Sequence, residues 1–300
     1  MATIDLHIHT TNSDGELTPF EVIDEAKKNG VKTIAIADHD TTESYTDELF
    51  NYAKDNNITI IPAVEISTKT DKSGIHVLGY NFDLDNQELK DKLKKLRNAR
   101  HDYLFNVAKK LQELGYIIDT EELDKIDAVT KAHIASNIVD NKDNEELLLK
   151  EFKHIPNRGE FIETIMNEGC PAYVRKESIT PQEASKLIKN ANGLVVLAHP
   201  VAYSYEDNLT EKDIEELVLS MEADGIETNY IYIDRNEVKH NDIDIWNNLA
   251  KKLNLPTTIG SDFHKKDNIH PVIGLVDEYL NLTEEELVNI LNFINKKTDN

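Results

Sequence analysis

Apolar residues follow two rhythms along this chain. Over the first eighty residues, short runs rich in Ile, Val and Thr alternate with stretches where apolar positions recur every three or four residues. Residues 3–8 (TIDLHI), 33–37 (TIAIA) and 58–66 (ITIIPAVEI) read as strands, and 18–29 and 42–56 as helices between them. Thr18 is the expected N-cap of the first helix, with Pro19 at its first position, Glu21 closing the capping box and Gly30 just past its end. The β-α-β-α-β order predicts a parallel sheet with helices outside. GIHVLGY, which carries His76, is expected as a strand of a hairpin. After residue 169 the rhythm resumes, with helices from Thr180-Pro181 to about 190 and over 210–221, 236–253 and 283–296, and strands at 194–198, 225–229 and 257–260.

The middle differs. No strand-like run interrupts residues 86–168, where Leu, Ile, Lys and Glu recur at helical spacing. One long helix over 86–115 is expected to end at Gly115, followed by shorter ones near 120–126, 131–140 and 144–153. An all-helical block at 86–168 between βα segments at 1–85 and 169–300 reads as an inserted subdomain.

Composition narrows the class. The 300 residues are 39% hydrophobic and 30% charged, ordinary for a globular protein with a sizeable core. The 33 basic and 56 acidic side chains leave a net charge of −23, which disfavours coating duplex nucleic acid or an anionic membrane. A small phosphorylated ligand remains compatible where cations gather locally. No apolar run reaches the ~18 residues of a membrane span. The N-terminal MATIDLHIHT lacks the basic flank and apolar run of a signal peptide. A single cysteine, Cys170, excludes an internal disulfide and a cysteine metal cluster. A cytoplasmic protein is expected.

The chemistry lies in the histidines. Of eleven, five sit where a predicted strand runs out: His7 and His9 in DLHIHT, His39 in ADHD, His199 in LAHP and His264 in GSDFH. His76 joins them, as do the carboxylates Asp14, Glu65 and Asp262. Residues i and i+2 of a strand face one side, so His7 and His9 can reach one ion together, and Asp262 and His264 repeat the spacing. Functional groups of α/β sheets gather at the C-terminal strand ends, which points these nine to one mouth. Mixed imidazole and carboxylate ligation suits Zn, Mn or Fe. His101, His154, His240 and His270 lie in polar contexts and are expected to be solvated. No GKS or GKT phosphate loop and no GxSxG elbow competes.

Arginine is scarce, at five of the 33 basic residues. Arg97 and Arg100 share one face of the long helix, either as a bidentate phosphate clamp or, with Lys94 and Lys95, as a solvated basic face. His133, in TKAHIASNI, lies near a helix start where free N–H groups favour anions, and a structural histidine fits equally there.

Together, HIH with Asp14, ADHD, Glu65, His76, AHP and GSDFH resemble the PHP (polymerase and histidinol phosphatase) superfamily. The resemblance implies an α/β fold, a distorted seven-stranded (β/α) barrel with a helical inserted subdomain. It also implies three divalent transition metals (Mn2+, Zn2+ or Fe2+) and no catalytic group beyond their ligands. Carried over, His7, His9, Glu65 and Asp262 hold the first metal, and Glu65 bridges to a second bound by His76 and His199. Asp14, His39 and His264 hold the third. The order of parts resembles the branch containing 3′,5′-nucleoside bisphosphate phosphatases and RNase AM-type 5′→3′ exoribonucleases. There the insert caps the site and supplies phosphate contacts, here Arg97, Arg100, Lys131 and His133, with Lys131 standing where the branch has arginine. The implied activity is hydrolysis of the 5′ phosphate of a nucleoside bisphosphate, or of a short RNA 5′ end, by metal-activated hydroxide. Histidinol-phosphate phosphatase and a non-catalytic metal-binding module are the alternatives.

Overall fold

The computed structural model describes residues 4–124, 126, 129–175, 177–234, 237–267, 269–274 and 282–296, with the Arg100 side chain outside that set. Strand β1 (Ile4–Ile8), helix α1 (Pro19–Lys28), β2 (Thr33–Ile36), α2 (Asp47–Asp55), β3 (Thr59–Lys69) and β4 (Gly74–Tyr80) come first. Helix α3 (Gln87–Glu113) follows, then α4 (Thr120–Leu123), α5 (Lys131–Val139), α6 (Glu145–Phe152) and α7 (Arg158–Phe161). Next come α8 (Pro181–Asn190), β5 (Leu194–Leu197), α9 (Pro200–Glu206), α10 (Glu211–Ser220) and β6 (Gly225–Asn229). The last elements are β7 (Tyr232–Ile233), β8 (Lys239–His240), α11 (Ile243–Leu253), β9 (Thr257–Ile259) and α12 (Glu284–Ile294). They divide into one unit of Met1–Leu93 with Ser178–Asn300 and another of Lys94–Glu177.

In the first unit seven strands lie in the order β1-β2-β3-β4-β5-β6-β9. A parallel bridge between Ile8 and Phe263, with His9 N donating to the Phe263 carbonyl at 2.9 Å, brings the last edge back to the first and nearly closes a barrel. The parallel expectation holds among β1, β2 and β3, and β4 is the strand of a hairpin with β3 that was expected; it also runs antiparallel to β5. That reversal matters for function, because it puts the start of β4, with His76, at the rim where the parallel strands end.

Two apolar layers hold this unit. Leu6, Ala35, Ala63, Leu78, Tyr80 and Val196 belong to one cluster, which α12 joins through Ile290, Phe293 and Ile294. Ile8, Ile34 and Ile36 instead pack with Val22, Ile23 and Ala26 of α1 and Leu49 and Ala53 of α2. Leu6 and Ile8 therefore fall in different layers although they are two apart. The reason is a register shift in β1, where Asp5 pairs with Ile34 and Ile8 with Ile36. The extra residue is a bulge that re-aims the segment around His7. A second shift lies between Glu227 and Asn229 of β6.

Local signals set most helix starts. Thr18–Glu21, Thr180–Glu183, Thr210–Asp213 and Thr283–Glu286 are closed capping boxes, the first two with proline in the first turn. Two expected helices are shorter than their periodicity. Helix α2 begins at Asp47 behind the N-cap Thr46, because Tyr45 turns inward and its hydroxyl donates to the Ile36 carbonyl at 2.6 Å. The stretch expected as helix from 236 starts only at Ile243, because Lys239–His240 pair with Tyr232–Ile233 as a small antiparallel ribbon; Arg235 and Asn236 lie outside the described residues.

The second unit contains helices and no strand among its described residues. Leu104, Val107 and Leu111 of α3 pack with Ile134 and Ile138 of α5, Leu148 of α6 and Phe161 of α7. No helix among the described residues is long and apolar enough to cross a membrane.

Candidate metal centre

Eight of the nine sequence-predicted ligands fall into groups whose nitrogen and oxygen atoms lie within 4.8 Å of one another: His7, His9, Glu65 and Asp262; His39, Glu65 and His76; and His9, Asp14, His39 and His264. The ninth, His199, joins through Glu65, its Nε2 lying 3.0 Å from Oε1. The first group matches the expected one. The others differ in that His39 also approaches Glu65, and His9 faces Asp14 through its second ring nitrogen at 3.5 Å.

Glu65 sits at the centre and is 1% exposed. Its Oε1 lies 3.0 Å from His76 Nδ1 and 3.0 Å from His199 Nε2. Its Oε2 lies 3.4 Å from His7 Nε2, 3.3 Å from His9 Nε2 and 3.0 Å from His39 Nδ1. The hairpin register explains the first pair: Glu65 is opposite Leu78 and Ser67 opposite His76, so His76 is the diagonal neighbour of Glu65.

These residues fit a bound cation. Glu65 Oε2, His39 Nδ1 and His76 Nδ1 are buried without a hydrogen-bond partner among the described residues, although they stand near one another. Such orphans are costly unless something between them is shared. His7 and His9 turn their Nε2 atoms together at 3.1 Å, and each meets Asp262 Oδ1, at 3.4 and 3.1 Å. Ligands 2.0–2.1 Å from one ion at tetrahedral angles lie roughly 3.3 Å apart, close to these spacings.

Electrostatics point the same way. Burial would raise the Glu65 pKa, but His76, His39 and His7 outweigh it and hold the carboxyl well below its ordinary range. Asp262, likewise buried, is held low by His7, His264 and His9. Burial opposes a proton on His9, yet Asp262, Glu65 and Asp14 push its pKa up to about 10. His39 goes the other way, pushed well below its ordinary value by burial, which leaves the neutral imidazole that binds metals. The site is thus a buried set of anionic carboxylates that draws positive charge.

Several residues that hold the site were not singled out from the sequence. Glu227 of β6 is fully buried and receives His7 Nδ1 at 3.0 Å and the His199 backbone N–H at 3.0 Å. Asp38 accepts from the Thr10 N–H at 2.7 Å, the Ser13 hydroxyl at 2.7 Å and the Ser44 hydroxyl, which shapes the loop leading to Asp14. The Tyr230 hydroxyl donates to Asp262 Oδ2 at 3.2 Å. The available signal was an acid inside, or just after, an otherwise apolar strand: IAIAD for Asp38, GIETN for Glu227. Two of the candidate ligands also sit on unusual backbone, His199 at φ 22° and Asp262 at φ 51°, a left-handed conformation that concentrates at functional sites.

Gly260 makes the centre possible. A Cβ there would come within 3.0 Å of His7 Cβ and Glu227 Oε1, closer than real Cβ atoms approach anything. Gly260→Ala is therefore expected to destabilise by about 1–3 kcal/mol, the range for overpacking. Urea unfolding would read this as a lowered midpoint, and an unchanged midpoint would mean that the end of β9 yields.

The expected phosphate contacts all belong to the helical unit. Arg97 lines a cavity of about 250 Å3 with His101, Asp124 and Val129. Lys131 and His133 do not line it; they start α5, where Lys131 Nζ donates to Asn167 Oδ1 at 2.9 Å and His133 closes a capping box with Thr130. The Arg100 side chain lies outside the described residues. Of the histidines expected to be solvated, His101 pairs with Asp124 at 2.7 Å and His154 with Glu160 at 2.9 Å on exposed surface, and His270 with Asp267 at 2.6 Å. His240 departs from that expectation. Its side chain is only 16% exposed, paired with Asp234 at 3.0 Å and stacked on Tyr205, because the ribbon folds it inward.

Comparison with known proteins agrees with this geometry. The PHP domain family matches residues 5–233. A 5′-3′ exoribonuclease of Haemophilus influenzae is 31% identical over 265 residues, spanning 87% of this chain and 89% of its own. A 3′,5′-nucleoside bisphosphate phosphatase of Chromobacterium violaceum is 28% identical over 229 residues, 75% of each chain. A solved structure from Bifidobacterium adolescentis, assigned as a metal-dependent phosphoesterase, shares the fold at TM-score 0.69 and 22% identity, covering 97% of this chain and 96% of its own. With candidate ligands from several strand ends converging on Glu65 and this match across most of its length, the chain belongs to the PHP domain family, among hydrolases of phosphoric esters.

Proposed function

We propose that this metal-dependent phosphoesterase removes the 5′ phosphate of 3′,5′-nucleoside bisphosphates, or cuts at the 5′ end of short RNA. The observation that carries the reading is Glu65, whose two oxygens face two different sets of histidines. In this reading His7, His9, Glu65 and Asp262 hold one divalent transition metal, Glu65, His76 and His199 a second, and Asp14, His39 and His264 a third. Bound together, such metals lower the pKa of an attacking water and neutralise the oxygens of an in-line displacement at phosphorus.

The chain's own groups do the positioning. Glu227 fixes the His7 ring through Nδ1, so Nε2 is the atom turned to the centre. Tyr230 holds Asp262 through one carboxylate oxygen and leaves the other toward His7 and His9. The phosphate that is not cleaved is assigned to Arg97 and Arg100, with Lys131 and His133, on their chemistry: guanidinium groups bind phosphate bidentately, and a first helical turn offers N–H groups to anions. The names of the exoribonuclease and the bisphosphate phosphatase support the substrate class.

Parallel kinetics with Mn2+ test the reading on 3′-phosphoadenosine 5′-phosphate, a 5′-phosphorylated trinucleotide and histidinol phosphate. The first two are expected to exceed the third in kcat/KM, and the reverse order would overturn the assignment. Arg97→Ala is expected to lower kcat/KM ten- to a hundredfold on 3′-phosphoadenosine 5′-phosphate, as loss of a charge-assisted contact worth ~1.5–3 kcal/mol requires. Hydrolysis of adenosine 5′-phosphate, which lacks the second phosphate, is expected to change little. An equal fall on both substrates would place Arg97 in the fold instead.

A further inference from the structure

Beside the metal centre opens a cavity of about 470 Å3, lined by His76, His199 and Asp262 and also by Tyr230, Tyr232 and Glu206. The described residues lining it include no Lys or Arg, whereas Glu206 and Asp207 both contribute carboxylates. Away from a bound cation such a lining is hostile to a phosphate and suits an uncharged part of a substrate.

Tyr232 of that lining belongs to a group of three aromatic rings, whose other two members, Tyr205 and His240, are not among the lining residues. Tyr205 stacks on His240 with ring centres 3.7 Å apart and planes 28° from parallel. Tyr232 lies nearly parallel to both, at 6.2 Å from Tyr205 and 5.9 Å from His240. Two of the rings are held by their polar ends: the Tyr232 hydroxyl donates to Glu206 at 2.7 Å, and His240 Nε2 meets Asp234 at 3.0 Å. Yet Tyr205 is 45% exposed. Stacked on His240, it still leaves much of a large aromatic side chain open to solvent.

Its placement is set by sequence. Tyr205 lies on α9, the helix that starts directly after His199, so six residues at 1.5 Å each put it about 9 Å along from that ligand. This is the scale of a nucleotide measured from its 5′ phosphate to its base.

We propose that Tyr205, backed by His240 and Tyr232, is a stacking platform for the nucleobase of the substrate. This rests on the nucleotide reading above and makes it more specific, because it assigns a subsite to the base. Since every base has a π-face, the platform accepts purines and pyrimidines alike and selects nucleotides over base-free phosphates.

The test compares 3′-phosphoadenosine 5′-phosphate with ribose 3,5-bisphosphate, which keeps both phosphates and lacks the base. In the wild type, KM is expected to be lower for the substrate with the base by roughly five- to 150-fold, the range that base–aromatic stacking gives on alanine substitution. Tyr205→Ala is expected to abolish that preference and Tyr205→Trp to retain it. A preference unchanged in Tyr205→Ala would overturn the platform. A second readout needs no turnover: the fluorescence of 2-aminopurine riboside 3′-phosphate is expected to be quenched by wild type and Tyr205→Trp, and not by Tyr205→Ala. No quenching by the wild type would overturn the proposal whatever the variants do. Should the wild type hydrolyse neither bisphosphate, the substrate reading has failed, and the quenching still decides whether a base stacks on Tyr205.

Discussion

Glu65→Gln is expected to lower kcat by about a thousandfold or more, and to remove more than one metal per chain, while His76→Ala costs less on both counts. The reason is the division of labour between its oxygens, Oε1 toward His76 and His199 and Oε2 toward His7, His9 and His39. Glutamine keeps the volume but replaces one oxygen with an amide nitrogen that cannot ligate, in a place with no solvent to take over. Transition-state charge stabilisation by a bound metal is worth several kcal/mol, and about 1.4 kcal/mol is a factor of ten in rate. Losing His76 removes one donor from one group. Metal analysis after gel filtration, alongside kcat, separates the two cases. Equal and mild losses at both positions would make Glu65 an ordinary strand-end carboxylate.

Glu227→Ala is expected to weaken metal binding about 10–100-fold, the usual cost of losing a carboxylate that orients a metal-binding histidine. The carboxylate is fully buried and receives both His7 Nδ1 and the His199 N–H, so alanine leaves two buried donors without an acceptor. Glu227→Gln keeps an acceptor oxygen and is expected to lose less. Competition with a chromophoric chelator measures the affinity without substrate and separates positioning from packing. A variant that unfolds at lower urea but binds metal as tightly as wild type would return Glu227 to the core as a structural acid.

Much of this protein was legible in one dimension. The two hydrophobic periods located the longer strands and helices, though not β7, β8, α7 or α9, because burying one face of an element leaves its spacing in the chain. Threonine caps and first-turn prolines marked helix starts such as Thr18-Pro19 and Thr180-Pro181, since capping is settled within four residues. All nine proposed ligands were visible as imidazoles and carboxylates at strand ends, for a helix-flanked strand has little other use for them there.

What the tertiary structure decided is how those positions meet. Period-2 reasoning puts Leu6 and Ile8 on one face, yet the bulge after Asp5 sends them to different layers and turns His7 toward Glu227. A bulge depends on the partner strand's register, which no local pattern encodes. The hairpin carrying His76 was expected, but its register, which makes His76 diagonal to Glu65, and the antiparallel pairing of β4 with β5 follow only from strand pairing. Glu227, Asp38 and Tyr230 escaped notice because an isolated acid or tyrosine carries no spacing signal; only contacts across more than twenty residues of sequence reveal what it holds. His240 looked like a solvated loop histidine until the ribbon with Tyr232 stacked it on Tyr205. Local sequence determined which imidazoles and carboxylates stand at the strand ends as candidate ligands, and long-range strand pairing determined which of them face one another.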